Sequence, residues 1–310
     1  MREQMSRLAA VGFHDGELAV QQKVGVRGEA TRLVGMLAPV ELRGGIVAFL
    51  ADRTFAALTA RDANGRLWTS TLIGEAGFLE VASPTTLRIG VVVAHGDPLE
   101  NVPAGQSVGL VVMEFATRRR VRVNGALTHR DAGGLTVEVE QAYGNCPQYI
   151  QQRTLIPTGN DRQFLEEAPY DAVLSADDAA QVRAADTFFL GTTHPDRGKD
   201  ASHRGGPAGF VRVEGEEVWW LDYAGNNMFN SLGNLAVDST AALLFVGFDT
   251  GRILQLSGTA TIDWDHLGER GDGGHTGRRV RFQTQRVVSG RLAVPRQNEH
   301  HTYPRNPALT

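Results

Sequence analysis

Several polar side chains in the second half of the chain are of the types that bind an anion. They lie in or directly after two polar, glycine-rich segments that are predicted to be loops, and they comprise Ser202, His203, Arg204, Gly205, Asn226, Asn227, Asn230 and Ser231. A phosphate needs several donors that converge on one point, and loop N–H groups, side-chain amides and a hydroxyl at a helix start supply them. Arg204 can add a charge-assisted, bidentate contact. For the second segment alone, a turn with helix-capping asparagines is an equal alternative.

Two of the candidate residues have reactive side chains. His203 can change its charge near neutral pH, so it is a possible proton donor. Cys146, the single cysteine, could be a nucleophile activated at a helix N-terminus. Because no paired base is evident beside it, a packed structural cysteine is the favoured interpretation.

His14 and Glu17 could ligate a metal, but two residues do not complete a site, so a surface turn with a helix cap is favoured and no metal is predicted.

The elements that must position these residues occur twice. Matching residues recur at an offset of 132 to 133 throughout, as in the pairs Phe55 and Phe188, Ser70 and Ser202, Phe78 and Phe210, Arg119 and Arg252, and Gly125 and Gly258. A drift this small over a whole domain indicates internal duplication, which takes precedence over local signals. The two repeats differ at the anion-binding positions, because the first has Leu72 for Arg204, Val93 and Ala94 for the two asparagines, and Pro98 for Ser231.

The sequence therefore predicts a mainly β protein made of two related barrels with flanking helices. Its predicted parts are a helical N-terminal extension (1–50), repeat one (51–145), a helical linker (146–185), repeat two (186–290) and a tail (291–310). The linker helix is expected to begin at Asn145, since a good cap residue is followed by a proline near the first turn. The tail is polar with several prolines, which favours disorder.

Composition excludes several classes of function. The formal net charge is -4, so no basic field attracts nucleic acid or a membrane surface. A disulfide within the chain is impossible with one cysteine, and Met1–Ala10 lacks a signal-peptide apolar core, so a cytoplasmic location is expected. The arginine run 118–120 is interpreted as a solvated face or a phosphate neighbour.

The order of the motifs resembles the pyridoxamine 5'-phosphate oxidase-like family of flavin-binding split barrels, in its subgroup with a Ser-x-Arg-Gly segment, a Gly-Asn-Asn loop and a short Ser-Leu-x-Asn helix. The resemblance covers nearly all of residues 50–290 and implies two FMN-binding split barrels in tandem that form an internal pseudo-dimer. It also implies an oxidoreductase that binds flavin mononucleotide (FMN) between two barrels and is reduced by NAD(P)H. The expected partner is a small-molecule substrate or electron acceptor.

The resemblance also adds contacts from repeat one. The family carries an Arg-Val-Asn-Gly strand and an x-Cys-Pro helix start, which place Arg122, Asn124, Asn145 and Cys146 among the predicted cofactor contacts. Repeat two lacks both motifs, so a composite site with one flavin per chain is predicted. In it, His203 would donate a proton or hydrogen-bond the flavin ring. Met228 stands where the family commonly has a basic residue, which places more of the phosphate charge on Arg204 or on another arginine.

The sequence leaves other functions open. The chain could carry or sense a flavin without turnover, or be a split barrel that binds haem or a deazaflavin, and FMN is not distinguished from FAD. True pyridoxamine phosphate oxidase activity is not expected, because the basic strand and the substrate-phosphate arginines of that enzyme are not recognisable. The chain is expected to be a monomeric pseudo-dimer or a homodimer.

Overall fold

The computed structural model describes residues 12–38, 41–156, 173–266 and 272–309. The first ten residues, for which no signal peptide is expected, therefore lie outside the described part, as does the middle of the predicted helical linker. Among the described residues, no helix is both long and apolar enough to cross a membrane.

Short helices precede the first sheet. They are α1 (Asp15–Val24), α2 (Arg27–Ala30), a 3-10 helix (Thr31–Leu37) and α3 (Gly45–Ala51). α1 begins with a capping box, in which the His14 ring accepts from the Glu17 N–H and the Glu17 carboxylate accepts from the His14 N–H. The helix cap was predicted correctly, but the prediction that it lies at the surface is wrong, because Glu17 is only 2% exposed. α1 packs against a helix of the second repeat and buries this end.

Each repeat forms one seven-stranded antiparallel sheet. The strands of repeat one are β1 (Phe55–Arg61), β2 (Leu67–Ile73), β3 (Leu79–Ser83), β4 (Thr86–Ile89), β5 (Gln106–Glu114), β6 (Arg119–Asp131) and β7 (Gly134–Gly144). Those of repeat two are β9 (Thr187–His194), β10 (Gly198–Gly205), β11 (Val211–Glu214), β12 (Glu217–Tyr223), β13 (Thr240–Val246), β14 (Arg252–Trp264) and β15 (His275–Arg291).

The two sheets have the same strand order. It is β2-β1-β5-β6-β7-β4-β3 in the first and β10-β9-β13-β14-β15-β12-β11 in the second, so each strand has its counterpart at the same place. The predicted fold class, mainly β with two tandem repeats, is confirmed. The repeats differ between their fourth and fifth strands, where only repeat two forms a helix, α5 (Asn230–Val237).

The repeats pack closely along β5, β6 and β10. A Cβ atom on Gly109 in β5 would lie 2.7 Å from the backbone nitrogen of Ala201 in β10, so the strands can cross only with glycine there. Aromatic rings fill the junction, with centroid distances of 5.5 Å between Phe55 and Phe189 and 5.2 Å between Phe115 and Phe248. The apolar core around repeat one therefore continues into repeat two.

The linker and the tail differ from the predictions. No helix begins at Asn145, because its side-chain oxygen accepts a hydrogen bond from Asn226 instead of capping the chain that follows. The chain then forms β8 (Gln152–Ile156), and α4 (Ala176–Ala184) precedes β9. The tail was wrongly predicted to be disordered. Its strand β16 (Arg296–His301) pairs antiparallel with β8. The backbone hydrogen bonds of this pairing order the tail despite its polar composition.

Candidate cofactor cleft

An open cleft of about 870 Å³, counting space continuous with solvent, lies between the two repeats. The residues from the side of repeat one are Arg120, Arg122, Asn145, Cys146, Gln148 and Tyr149. Repeat two contributes the end of β10, the end of β12, the loop 224–229 and the start of α5. Ten of the twelve predicted contacts line this cleft, and they come from both repeats.

The alternation of β6 directs the residues of repeat one into the cleft. Val121, Val123 and Leu127 are buried inside their own barrel. Successive side chains of a strand point to opposite faces, so Arg120 and Arg122 turn toward the other repeat. The Ser202–Gly205 segment was predicted to be a loop, but it is the last part of strand β10, paired residue by residue with β9.

Hydrogen-bonded contacts join the two repeats at the cleft. The Asn226 amide donates to Asn145 Oδ1 at 2.9 Å. Arg120 Nη1 lies 2.8 Å from His203 Nδ1, and Arg122 Nη1 donates to the Asp200 carboxylate at 2.9 and 3.1 Å. These contacts bring together the two sets of residues that the sequence placed in different repeats.

The Gly-Asn-Asn segment is a tight loop that leads into α5. Asn226 Oδ1 accepts from the Met228 N–H at 3.1 Å, and Asn227 and Phe229 both have left-handed backbones, with φ of 61° and 62°. No side chain of the described residues caps α5, so its first-turn N–H groups are available to a ligand at the cleft, where Asn230 and Ser231 lie.

Two predicted contacts lie behind the cleft wall. Ser202 is fully buried, and its hydroxyl is 3.0 Å from that of Ser231. Asn124 faces a small neighbouring cavity, and its amide lies 3.4 Å from Asp200 Oδ1. Both residues are therefore placed to hold cleft residues in position rather than to line the cleft.

Positive charge exceeds negative charge in the cleft. Arg122 pairs with Asp200 at 2.9 Å, whereas Arg204 lies 3.8 Å from Asp222, which is bound more closely by Arg278 at 2.8 Å. Arg120 has no carboxylate partner among the described residues. Its burial, followed by the charges of Arg122 and Arg204, lowers the pKa of Arg120 to about 9. An anion would relieve this repulsion.

The cleft also holds unsatisfied hydrogen-bond donors. Five buried side-chain nitrogens at the cleft have no hydrogen-bond partner among the described residues, namely Arg120 Nε, Arg122 Nε, Asn145 Nδ2, His203 Nε2 and Arg204 Nε. Each buried unpaired group costs about 1–3 kcal/mol. Such a concentration of donors indicates a site for a ligand rich in acceptors.

His203 is fixed as a neutral donor. An arginine can only donate, so the contact with Arg120 makes Nδ1 the acceptor and leaves the ring proton on Nε2. Burial, and then the neighbouring arginines, hold the pKa of His203 well below 6.5. The geometry therefore favours hydrogen bonding by His203 over proton donation at neutral pH.

Arg120 and Tyr149 line the cleft but were not among the twelve predicted contacts, although the run 118–120 was interpreted as a solvated face or a phosphate neighbour. Arg120 stands two residues before Arg122, so the period of a strand could have placed both on one face. Tyr149 could not have been found in this way, because its segment was predicted to be helical.

A possible metal cluster lies outside the cleft, where His14, Asp15 and His194 approach one another. The Nδ1 atom of His194 accepts from the Asp196 and Arg197 N–H groups at 3.1 and 3.2 Å. Nδ1 of His14 likewise accepts from the Glu17 N–H. In the neutral form of each ring the proton therefore lies on Nε2, where a metal would need a lone pair. The arrangement fits hydrogen bonding better than metal ligation.

The corresponding position on the other side of the pseudo-dimer is closed. Leu72, Val93 and Ala94 are at most 3% exposed. Gln255, which stands where repeat one has Arg122, donates to Ser70 Oγ at 2.8 Å and to Asp97 Oδ2 at 3.0 Å. Burial raises the pKa of Asp97 to about 6. This polar network and the apolar side chains occupy the space in which a second ligand would have to bind.

Comparisons with known proteins give structural likenesses only. No family model matches the chain, and no curated protein matches it. Similar solved structures include HupZ from Group A Streptococcus (11% identity, 38% of this chain and 97% of that chain covered, TM-score 0.30). Another is a protein of the pyridoxinephosphate oxidase family, related to general stress protein 26, from Clostridium acetobutylicum (14%, 37% and 86%, 0.28). A third is the FAD binding protein from Mycobacterium smegmatis (13%, 39% and 98%, 0.27).

Proposed function

We propose that the chain binds one FMN in the cleft between its repeats and acts as a flavin-dependent oxidoreductase. The observation that carries the proposal is the cluster of unpaired buried donors together with excess positive charge. A flavin offers carbonyl and ring-nitrogen acceptors along one edge and a phosphate at the end of its side chain. Donors and cations in one cleft complement both ends.

The residues would divide this work between them. Arg204, Ser231 and the first turn of α5 would hold the phosphate, and Arg120 would add charge to that end. His203 Nε2 and Asn145 Nδ2 would donate to the ring acceptors, because both are buried and unpaired. FMN would supply the electron transfer when bound, and the protein would bind and orient it. No side chain of the described cleft is assigned a proton-transfer step.

The arrangement favours a phosphorylated flavin over haem. His203, the histidine of the cleft, keeps Nδ1 engaged by Arg120 and its proton on Nε2, so neither nitrogen offers a free lone pair to an iron atom. The opening of the cleft to solvent supports catalysis over mere flavin carriage, because a second substrate could reach the flavin ring through it.

The test is direct. Purified protein should show the two near-ultraviolet and blue bands of a flavin, and stripped protein should bind FMN more tightly than riboflavin. Anaerobic addition of NADH or NADPH should bleach the blue band. Binding without bleaching by either donor would leave a flavin carrier or sensor, a single dominant Soret band would indicate haem, and failure to bind any flavin would contradict the proposal.

A further inference from the structure

Tyr149 spans the mouth of the cleft. Its backbone follows repeat one, yet its hydroxyl donates to the carbonyl oxygen of Ala224 in the loop of repeat two, at 3.0 Å. Its ring lies 5.3 Å from that of Tyr223 and 5.6 Å from that of Tyr303, measured between centroids. Tyr149 and Tyr223 both line the cleft, whereas Tyr303 belongs to the tail. This single side chain thus ties the two walls together.

The backbone of Tyr149 is in an unfavourable conformation. Its φ of 61° lies in the left-handed region, which costs a residue with a Cβ of the order of 1–3 kcal/mol. Such a conformation persists only where its surroundings enforce it. One enforcing contact is with Gly205 at the end of β10, where a Cβ atom would lie 2.0 Å from the Tyr149 carbonyl oxygen.

Gln151 is the second enforcing contact and is fully buried. Its Nε2 lies 3.2 Å from the Tyr149 carbonyl oxygen, 3.0 Å from that of Gly206 and 3.1 Å from Asn306 Oδ1. Its Oε1 accepts from the Tyr303 N–H at 2.7 Å and from the Asn306 amide at 3.0 Å. One amide group therefore connects the mouth of the cleft, the segment after β10 and the tail.

Arg118 holds the same region from the other side. Its Nε donates to the Ile150 carbonyl oxygen at 3.1 Å and its Nη2 to that of Thr302 at 3.4 Å. Its guanidinium also lies 6.0 Å from the centre of the Tyr303 ring. The tail is thus bound on both sides of Tyr149.

We propose that the tail segment 302–306, acting through Gln151, positions Tyr149 over the cleft and retains the bound ligand. The inference rests on the proposed function, since it assumes that a flavin binds in this cleft. Tyr149 and Gln151 are positioning residues here: one closes the mouth and the other fixes it. The tail is therefore part of the site, although none of its residues lines the cleft.

The test uses full-length variants and the rates of FMN association and dissociation. The double variant Arg118→Met with Asn306→Ala removes tail contacts on both sides and leaves Tyr149 and Gln151 in place. Variants of one binding site differ mainly in their dissociation rate constants. We therefore expect FMN to dissociate at least about tenfold faster from the double variant, with little change in its association rate constant. Tyr149→Phe, which keeps the ring and loses one neutral hydrogen bond, should raise dissociation about fivefold.

A second readout separates positioning from general stability. Collisional quenching of the bound flavin's fluorescence by iodide should increase in the double variant, because the mouth is open, while the thermal midpoint of the ligand-free protein should change little. Arg66→Met, which removes an exposed arginine elsewhere, is the matched control.

The outcomes distinguish the two proposals. If the intact protein binds no flavin, the proposed function fails and ligand retention fails with it. In the other case the intact protein binds FMN, while Asn306→Ala and the double variant both show the same FMN dissociation rate and the same iodide quenching as Arg66→Met. That result would overturn the role of the tail and leave the proposed function standing.

Discussion

The substitution of Arg120 by methionine is the sharpest probe of the cleft, since it should change ligand binding and ligand-free stability in opposite directions. Arg120 contacts His203 and is repelled by Arg122 and Arg204. Methionine keeps much of the side-chain volume and removes the charge. Ligand-free protein should then be at least as stable as before, because a buried cation without a carboxylate partner in the described structure is lost.

The magnitude follows from the contact that is lost. A hydrogen bond to a charged group contributes about 1.5–3 kcal/mol, so its loss should raise the dissociation constant for FMN roughly 12- to 160-fold. Riboflavin, which has no phosphate, should be affected less. The assay is titration of stripped protein with each ligand, followed by thermal unfolding without ligand.

The comparison again needs a variant that loses a charge elsewhere. Arg66→Met removes an exposed arginine outside the cleft lining, so FMN affinity should stay within about twofold, as is usual for surface substitutions. Equal FMN affinity in Arg120→Met and Arg66→Met would refute the assignment of the anion site. A clear loss of ligand-free stability in Arg120→Met would refute the view that its charge is uncompensated.

Three further predictions concern other parts of the site. Arg204→Ala should keep the fold and weaken FMN binding by about 1.5–3 kcal/mol, as measured by titration, and an unchanged affinity would place the phosphate elsewhere. Binding should saturate at one FMN per chain, because Leu72 and its neighbours close the equivalent position, and saturation at two would exclude the composite site. Burial raises the pKa of Glu17 from 4.5 to about 7, so the folded state binds its proton more tightly than the unfolded state. The stability from this proton is complete below pH 4.5 and lost as pH rises through 7. In denaturant titrations, the free energy of unfolding of Glu17→Gln relative to that of the natural protein should therefore rise by about 3 kcal/mol across that pH range. A difference that does not change with pH would contradict the burial argument.

The fold was largely predictable from the sequence because duplication leaves a long-range signal. A constant offset between Phe55 and Phe188, or Gly125 and Gly258, constrains the order of whole strands, and local ambiguity cannot remove it. The asymmetry between the repeats was likewise visible residue by residue. For that reason the sequence alone predicts which residues each repeat contributes to the candidate site.

The errors occurred where a tertiary contact replaced a local preference. Asn145 has the side chain of a helix cap, but its oxygen is used by Asn226, which is 81 residues away in the chain. The tail has the composition of a disordered segment, yet Gln151 bonds it on two sides. No local pattern encodes such partners, so Tyr149 and the tail could be related to the cleft only in three dimensions.

The covalent union of the two repeats determines how the candidate site responds to dilution. A cleft built from two separate chains would disassemble at low concentration, and its apparent affinity would depend on the amount of protein. Here Asn145 and Asn226 belong to one polypeptide, so the effective concentration of each half for the other is set by the chain and does not fall on dilution. Each half could also change in evolution without imposing the same change on its counterpart, which an assembly of identical subunits cannot do.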